Sequence, residues 1–218
     1  MATATLTINS KNYGAWSLRG WLLCKFSGID FVEQVVPSDD PATRAELLLM
    51  SSSFRVPRLE HDRFVVWDTL AIGEYLHETF PEAGLLPQDA WQRTHCRSVS
   101  GEMHAGFQNL RAGLPMNIRA RYAQYPIWAG IQADIDRIVE LWGVCFEHYD
   151  GDYLFGERPT MADAMYAPVC TRLRTYDVAL TGRAAEYVTH ILGLPEIREW
   201  EEAARLEPEE MEELDVEF

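Results

Sequence analysis

Strand signals fill the first eighty residues of this chain and then stop. "TLTINS" (5–10) alternates apolar and polar residues, the period of a half-buried strand. "SLRGWLLCKFSG" (17–28) reads as a helix, with Leu18, Trp21, Leu22 and Phe26 on adjoining faces, Ser17 placed to cap it and Gly28 to end it. "DFVEQVV" (30–36) is a second strand. "PATRAELLLMS" (41–51) opens with proline at a first helical position and reads as a helix. "VPRLEH" and "RFVVWD" are two short strands joined at His61-Asp62, followed by the helix "TLAIGEYLHETF" (69–80). A strand–helix–strand unit followed by a hairpin and a helix is a mixed α/β domain, expected over residues 1–80. "PEAGLLPQDA" (81–90), with two prolines and a glycine, reads as a linker. Beyond it the pattern is helical, at roughly 91–112, 118–149, 160–176, 183–192 and 195–205. An all-α domain is therefore expected over 91–206, with an acidic tail at 207–218.

A chain of 218 residues can bury a sizeable core as one large domain or two small ones. Its net charge of −15 repels nucleic acid and anionic membranes, so neither is an expected partner. The tail "EPEEMEELDVEF" carries acids and no base, the mark of a solvated run. The four cysteines form no CxxC pair and no zinc-spaced cluster, so no metal site is expected. Cys24, Cys145 and Cys170 lie in apolar stretches, as buried free thiols do in a reducing compartment. With no signal peptide at the N-terminus and no apolar run of membrane-spanning length, the expected location is the cytoplasm.

Three stretches carry chemistry. A proline at Val56-Pro57 suits a sheet edge or a tight turn, and a cis bond there leaves the Val56 backbone free to pair with a peptide-like ligand. Eleven residues on, "WDTLAI" sets an acid, Asp68, and a hydroxyl, Thr69, at a helix start. Together with the helix N-terminus they can read the ammonium and carboxylate of an α-amino acid, or one of them simply caps the helix. "GERPTMADAMYAPV" holds a capping box, Thr160 with Asp163, whose reading is structural.

In order and spacing, "RVPRLEHDRFVVWDTLAIGEYL", "PEAGLLPQD" and "FGERPTMADAMYAPV" resemble the cytosolic glutathione S-transferase superfamily over nearly the whole chain. The start "NYGAWSLRGWLL" is similar to bacterial members of the serine-type theta, zeta and tau kinds. The resemblance implies a thioredoxin-like N-terminal domain, an all-α C-terminal domain, and a homodimer. It implies glutathione as co-substrate, with its cysteinyl part on Val56 before a cis Pro57, its γ-glutamyl part on Asp68 and Thr69, and its glycyl carboxylate near Arg55. Trp16 would line the same site.

The departure lies in the opening loop. Gly14 stands where the resemblance calls for the serine that stabilises the thiolate, and Ala15 follows it. The remaining candidates for that role are Ser17, which is also placed to cap the helix, and Tyr13, with the loop's own N–H groups as a further source. Met103, His104, Phe107, Leu114 and Met116 are candidate walls of an electrophile pocket. Arg111, Arg119 and Arg121 could meet a substrate carboxylate. The expected function is joining the glutathione thiolate to a small electrophile, as detoxifying transferases do, or related lyase or isomerase chemistry. The alternative is a binding protein of the same fold that has lost thiol activation. Reductase chemistry is disfavoured because the loop has no cysteine.

Overall fold

The computed structural model describes residues 4–36 and 55–208. Its first part is a four-stranded sheet in the order β2-β1-β3-β4. β1 (Ala4–Ile8) and β2 (Phe31–Val35) are parallel, Ala4 opposite Phe31 and Ile8 opposite Val35. Parallel neighbours need a crossover, which α1 (Ala15–Ser27) supplies. β3 (Arg58–His61) runs antiparallel to β1, with Leu6 opposite Leu59, and to β4 (Phe64–Trp67). Leu6, Ile8 and Leu59 have no exposed surface. They share a core with Leu18 and Leu22 of α1 and with Ile72 and Leu76 of α2 (Thr69–Thr79). Each expected strand thus appears within a few residues of its signature. The helix expected at 41–51 lies outside the described residues.

Ser17 does not cap α1. The helix begins two residues earlier, with Gly14 at the N-cap and no side-chain capping bond. Gly28 ends it as expected, in the left-handed conformation at φ 73°, its N–H on the Lys25 carbonyl. Mid-helix, Gly20 allows Pro57 to pack: a β-carbon there would lie 2.6 Å from the proline ring.

The second part is helical: α3 (Ala90–Ala105), α4 (Gln108–Gly113), α5 (Ala129–His148), α6 (Met161–Thr175), α7 (Gly182–Gly193) and α8 (Pro195–Leu206). Two expected helices are corrected. The one at 91–112 breaks at Gly106-Phe107, where Phe107 takes φ 62° and a β-carbon on Gly106 would sit 2.8 Å from the Glu102 carbonyl oxygen. The one at 118–149 starts only at Ala129. Residues 114–128, bracketed by Pro115 and Pro126, instead run irregularly between the two halves. The Ile118 N–H donates to the Asn12 carbonyl at 3.2 Å and the Tyr122 N–H to that of Thr175 at 2.7 Å.

Helix α6 is central and buried almost all round. It opens with the expected capping box. Asp163 accepts from the Leu154 and Thr160 N–H groups, the Thr160 hydroxyl and the Tyr187 hydroxyl, at 2.7–3.0 Å. The Arg19 Nε of α1 donates to the Met165 carbonyl of α6 at 2.8 Å, tying the two halves together. Trp200 of α8 adds a second tie: its ring packs edge-on to Trp21, and its Nε1 donates to the Lys11 carbonyl. No helix among the described residues is long and apolar enough to cross a membrane.

Candidate active site

A pocket of about 250 Å³ opens between the two halves. Asn9, Tyr13, Gly14, Ala15, Trp16 and Val56 line it from the first half, and Arg111, Pro115, Met116 and Arg172 from the second. The β1–α1 loop, the N-terminus of α1 and the turn before β3 therefore face the irregular segment after α4 and one side of α6.

Five side chains placed here by sequence line this pocket: Tyr13, Trp16, Val56, Arg111 and Met116. The Val56-Pro57 bond is cis. The Tyr13 ring is nearly buried, and its hydroxyl accepts from Arg119 Nη2 at 3.5 Å. Asp68 is the N-cap of α2 at φ 73°. Its Oδ1 accepts from the N–H groups of Leu70 and Ala71. Its Oδ2 lies 2.7 Å from His104 Nε2, across the domain boundary. Thr69 is 1% exposed and its hydroxyl has no partner among the described residues. Arg55 is exposed, directly before Val56.

Other expectations are corrected. Ser17 is fully buried and outside the pocket lining. Its hydroxyl accepts from the Asn9 N–H at 3.1 Å and donates to Asn9 Oδ1 at 2.5 Å. Met103, Phe107 and Leu114 belong to the hydrophobic core rather than to the pocket wall. His104 reaches the site indirectly, its ring edge-on to Trp16 at 5.1 Å. Arg121 turns to the carbonyls of Ile118 and Ala120. Glu207, the first residue of the expected solvated tail, is docked: its carboxylate accepts from the Ser10 hydroxyl and from the N–H groups of Lys11 and Asn12.

Sequence reasoning named Arg111 but missed Arg19 and Arg172, which join it in one basic cluster. Two guanidinium groups approach the Trp16 ring, Arg19 at 4.5 Å and Arg111 at 4.8 Å from its centre. Burial, then repulsion from Arg172 and Arg111, holds Arg19 well below its ordinary pKa, and its Nη1 and Nη2 have no partner among the described residues. Burial and Arg111 bring Arg172 down to about 10, and burial lowers Arg111. The polar contacts of these three side chains are to backbone carbonyls: Met165 for Arg19, Met103, His104 and Gly106 for Arg111, Leu114 and Pro168 for Arg172. Three cations share one neighbourhood with no carboxylate among the groups that shift them, in a chain of charge −15. Buried unpaired cations are costly, and an anion in the pocket would offset that cost. An arginine within the apolar run "SLRGWLL" was the available signal for Arg19.

The Glutathione S-transferase, N-terminal domain model matches residues 13–79, and the Glutathione S-transferase, C-terminal domain model matches residues 101–203. The chain belongs to the glutathione S-transferase family. Among its relatives is a probable maleylacetoacetate isomerase from Caenorhabditis elegans, 25% identical over 172 residues and covering 77% of each chain. Solved structures share the fold. A glutathione transferase homolog from Burkholderia, with bound glutathione, superposes at TM-score 0.70 with 22% identity, covering 95% of this chain and 100% of the other. A maleylacetoacetate isomerase from Anaeromyxobacter dehalogenans, with bound dicarboxyethyl glutathione and citrate, superposes at 0.64 with 21% identity, covering 96% and 99%. The glutathione S-transferase fold, a thioredoxin-like sheet domain followed by helices, accounts for the two halves described above.

Proposed function

We propose that this glutathione S-transferase family protein is a glutathione-dependent enzyme acting on a small electrophile that carries a carboxylate. The observation that carries this reading is one pocket in which Val56 and the α1 N-terminus meet Arg111 and Arg172. The residues fit glutathione. The buried Thr69 hydroxyl lacks a partner among the described residues, and Asp68 beside it is an acid suited to the γ-glutamyl ammonium. When bound, glutathione supplies the thiolate that adds to an electrophilic carbon. The chain's own residues hold the tripeptide on Val56, Asp68 and Thr69, wall the electrophile with Trp16 and Met116, and orient its carboxylate on Arg111 and Arg172. Transferase chemistry and double-bond isomerisation both begin from that addition. Isomerisation is favoured by the maleylacetoacetate isomerases among the relatives.

The absence of a hydroxyl on Gly14 favours a second reading, a glutathione-binding protein without turnover. Steady-state assays with glutathione and paired electrophiles, free acids against their methyl esters, separate the two. The enzyme reading expects acids to be preferred, and Arg172→Met to erase that preference. Binding without turnover of any electrophile would establish the second reading.

We also infer a homodimer. Edge strand β4 exposes Phe64, Val65 and Trp67, apolar surface that a second copy would cover. Four buried free thiols suit a reducing compartment, which supports the cytoplasm as its location. Light scattering that finds only monomer at micromolar concentration would remove the dimer from this picture.

A further inference from the structure

Gly14 cannot simply be exchanged for the expected serine. A β-carbon on residue 14 would lie 2.2 Å from the Ser10 carbonyl oxygen and 2.3 Å from Asn9 Oδ1. The carboxamide oxygen of Asn9 occupies that volume instead. Asn9 follows directly on β1 and lines the pocket beside Gly14, Ala15 and Val56.

The carboxamide is held in one orientation. Ser17 Oγ accepts from the Asn9 N–H, so its single proton is directed to an acceptor, and Asn9 Oδ1 lies 2.5 Å away. With the oxygen committed to Ser17, the NH₂ group is at the other end of the amide. Nδ2 donates to no group among the described residues. Asn9 lines the pocket beside the α1 N-terminus, which has no side-chain cap and favours an anion.

We propose that Asn9 Nδ2 donates to the glutathione thiolate in place of the missing hydroxyl, with Ser17 as the positioning residue that orients the carboxamide. This rests on the reading that glutathione binds in the pocket. The thiol loses its proton to solvent and keeps the electron pair on sulfur. The donated hydrogen bond stabilises the anion and lowers the thiol pKa.

The test uses the full chain saturated with glutathione. Calorimetry gives the affinity, and the ultraviolet absorbance of the thiolate across a pH titration gives the bound thiol pKa. Asn9→Ala is expected to bind glutathione within a few-fold of wild type and to raise the thiol pKa by about one unit. Asn9→Asp keeps the shape and the Ser17 bond but turns an oxygen toward the sulfur. It is expected to raise the pKa further, and it reports on the site even if Asn9→Ala disturbs the loop. Ser17→Ala is expected to raise the pKa part-way and to lower kcat more than it raises KM. If Asn9→Ala and Asn9→Asp both bind glutathione with the wild-type thiol pKa, the proposal is overturned. If wild type binds no glutathione, the functional reading itself fails, and this proposal with it.

Discussion

Asp68 and His104 meet across the domain boundary, Oδ2 to Nε2 at 2.7 Å, one at the N-cap of α2 and the other in the last turn of α3. Both side chains are partly exposed, so the contact contributes little to stability, about 0–1 kcal/mol. Its consequence is geometric: it fixes the Asp68 carboxylate beside Thr69 and sets the His104 ring against Trp16. His104→Ala is expected to raise the KM for glutathione several-fold while moving Tm by at most about 3 °C. Steady-state kinetics with thermal melts will check this. An unchanged KM would separate His104 from the site.

Installing the expected serine is predicted to harm the protein. Gly14→Ser places a β-carbon against the Ser10 carbonyl and the Asn9 carboxamide, so the loop must shift. Overpacking of this kind costs about 1–3 kcal/mol. Denaturant melts should show that loss, with no gain in glutathione-dependent activity. A more active and equally stable Gly14→Ser variant would refute the packing described here.

Glu207 pins the same loop from the other end of the chain. Its carboxylate accepts the Ser10 hydroxyl and the Lys11 and Asn12 N–H groups at 2.7–3.0 Å. Removing it takes an acceptor from the Ser10 hydroxyl and from the Lys11 and Asn12 N–H groups, and Ser10 and Asn12 are buried. Glu207→Ala is expected to cost about 2 kcal/mol in urea unfolding and to lower turnover. Glu207→Gln, which keeps one acceptor oxygen, is expected to fall between.

Much of the fold was legible because its signals are local. Period-two alternation placed β1, two short runs joined at His61-Asp62 placed the β3–β4 hairpin, and Gly28 and the Thr160–Asp163 box marked helix ends that the structure keeps. The segment 118–128 was not legible as irregular. Its apolar residues fall near helical spacing, yet Tyr122 and Tyr125 pack against Tyr176 through contacts that only the tertiary structure supplies. The site divides the same way. Val56-Pro57 and Asp68-Thr69 are contiguous motifs. Arg19 and Arg172 lie far apart in sequence and become one electrostatic feature only when α1 packs on α6. Apolar spacing alone could not separate Met116, which faces the pocket, from Met103 and Phe107, which face the core. Ser17 sat near enough to a helix start to read as a cap, while its bonds run eight residues back to Asn9.

The four cysteines should be inert in the folded protein. Burial penalises the thiolate, pushing Cys96 and Cys145 up to about 12 and raising Cys24 and Cys170 as well. Because these pKa values are raised, the reactive form appears only as pH climbs toward them. At pH 8 the thiolate fraction of Cys96 or Cys145 is on the order of 10⁻⁴. Titration with a thiol reagent at pH 8 should find almost no fast-reacting sulfur before denaturant is added, and all four after. One fast-reacting cysteine in the native protein would contradict the burial described.

Calorimetric titration of glutathione into wild type and into Thr69→Val tests the central claim most directly. The account predicts saturable binding to wild type with Kd below about 1 mM. It predicts affinity weaker by roughly tenfold when the buried hydroxyl is replaced by a methyl group. No detectable heat from wild type at about 10 mM glutathione, a concentration at which even a millimolar Kd gives near saturation, would contradict it.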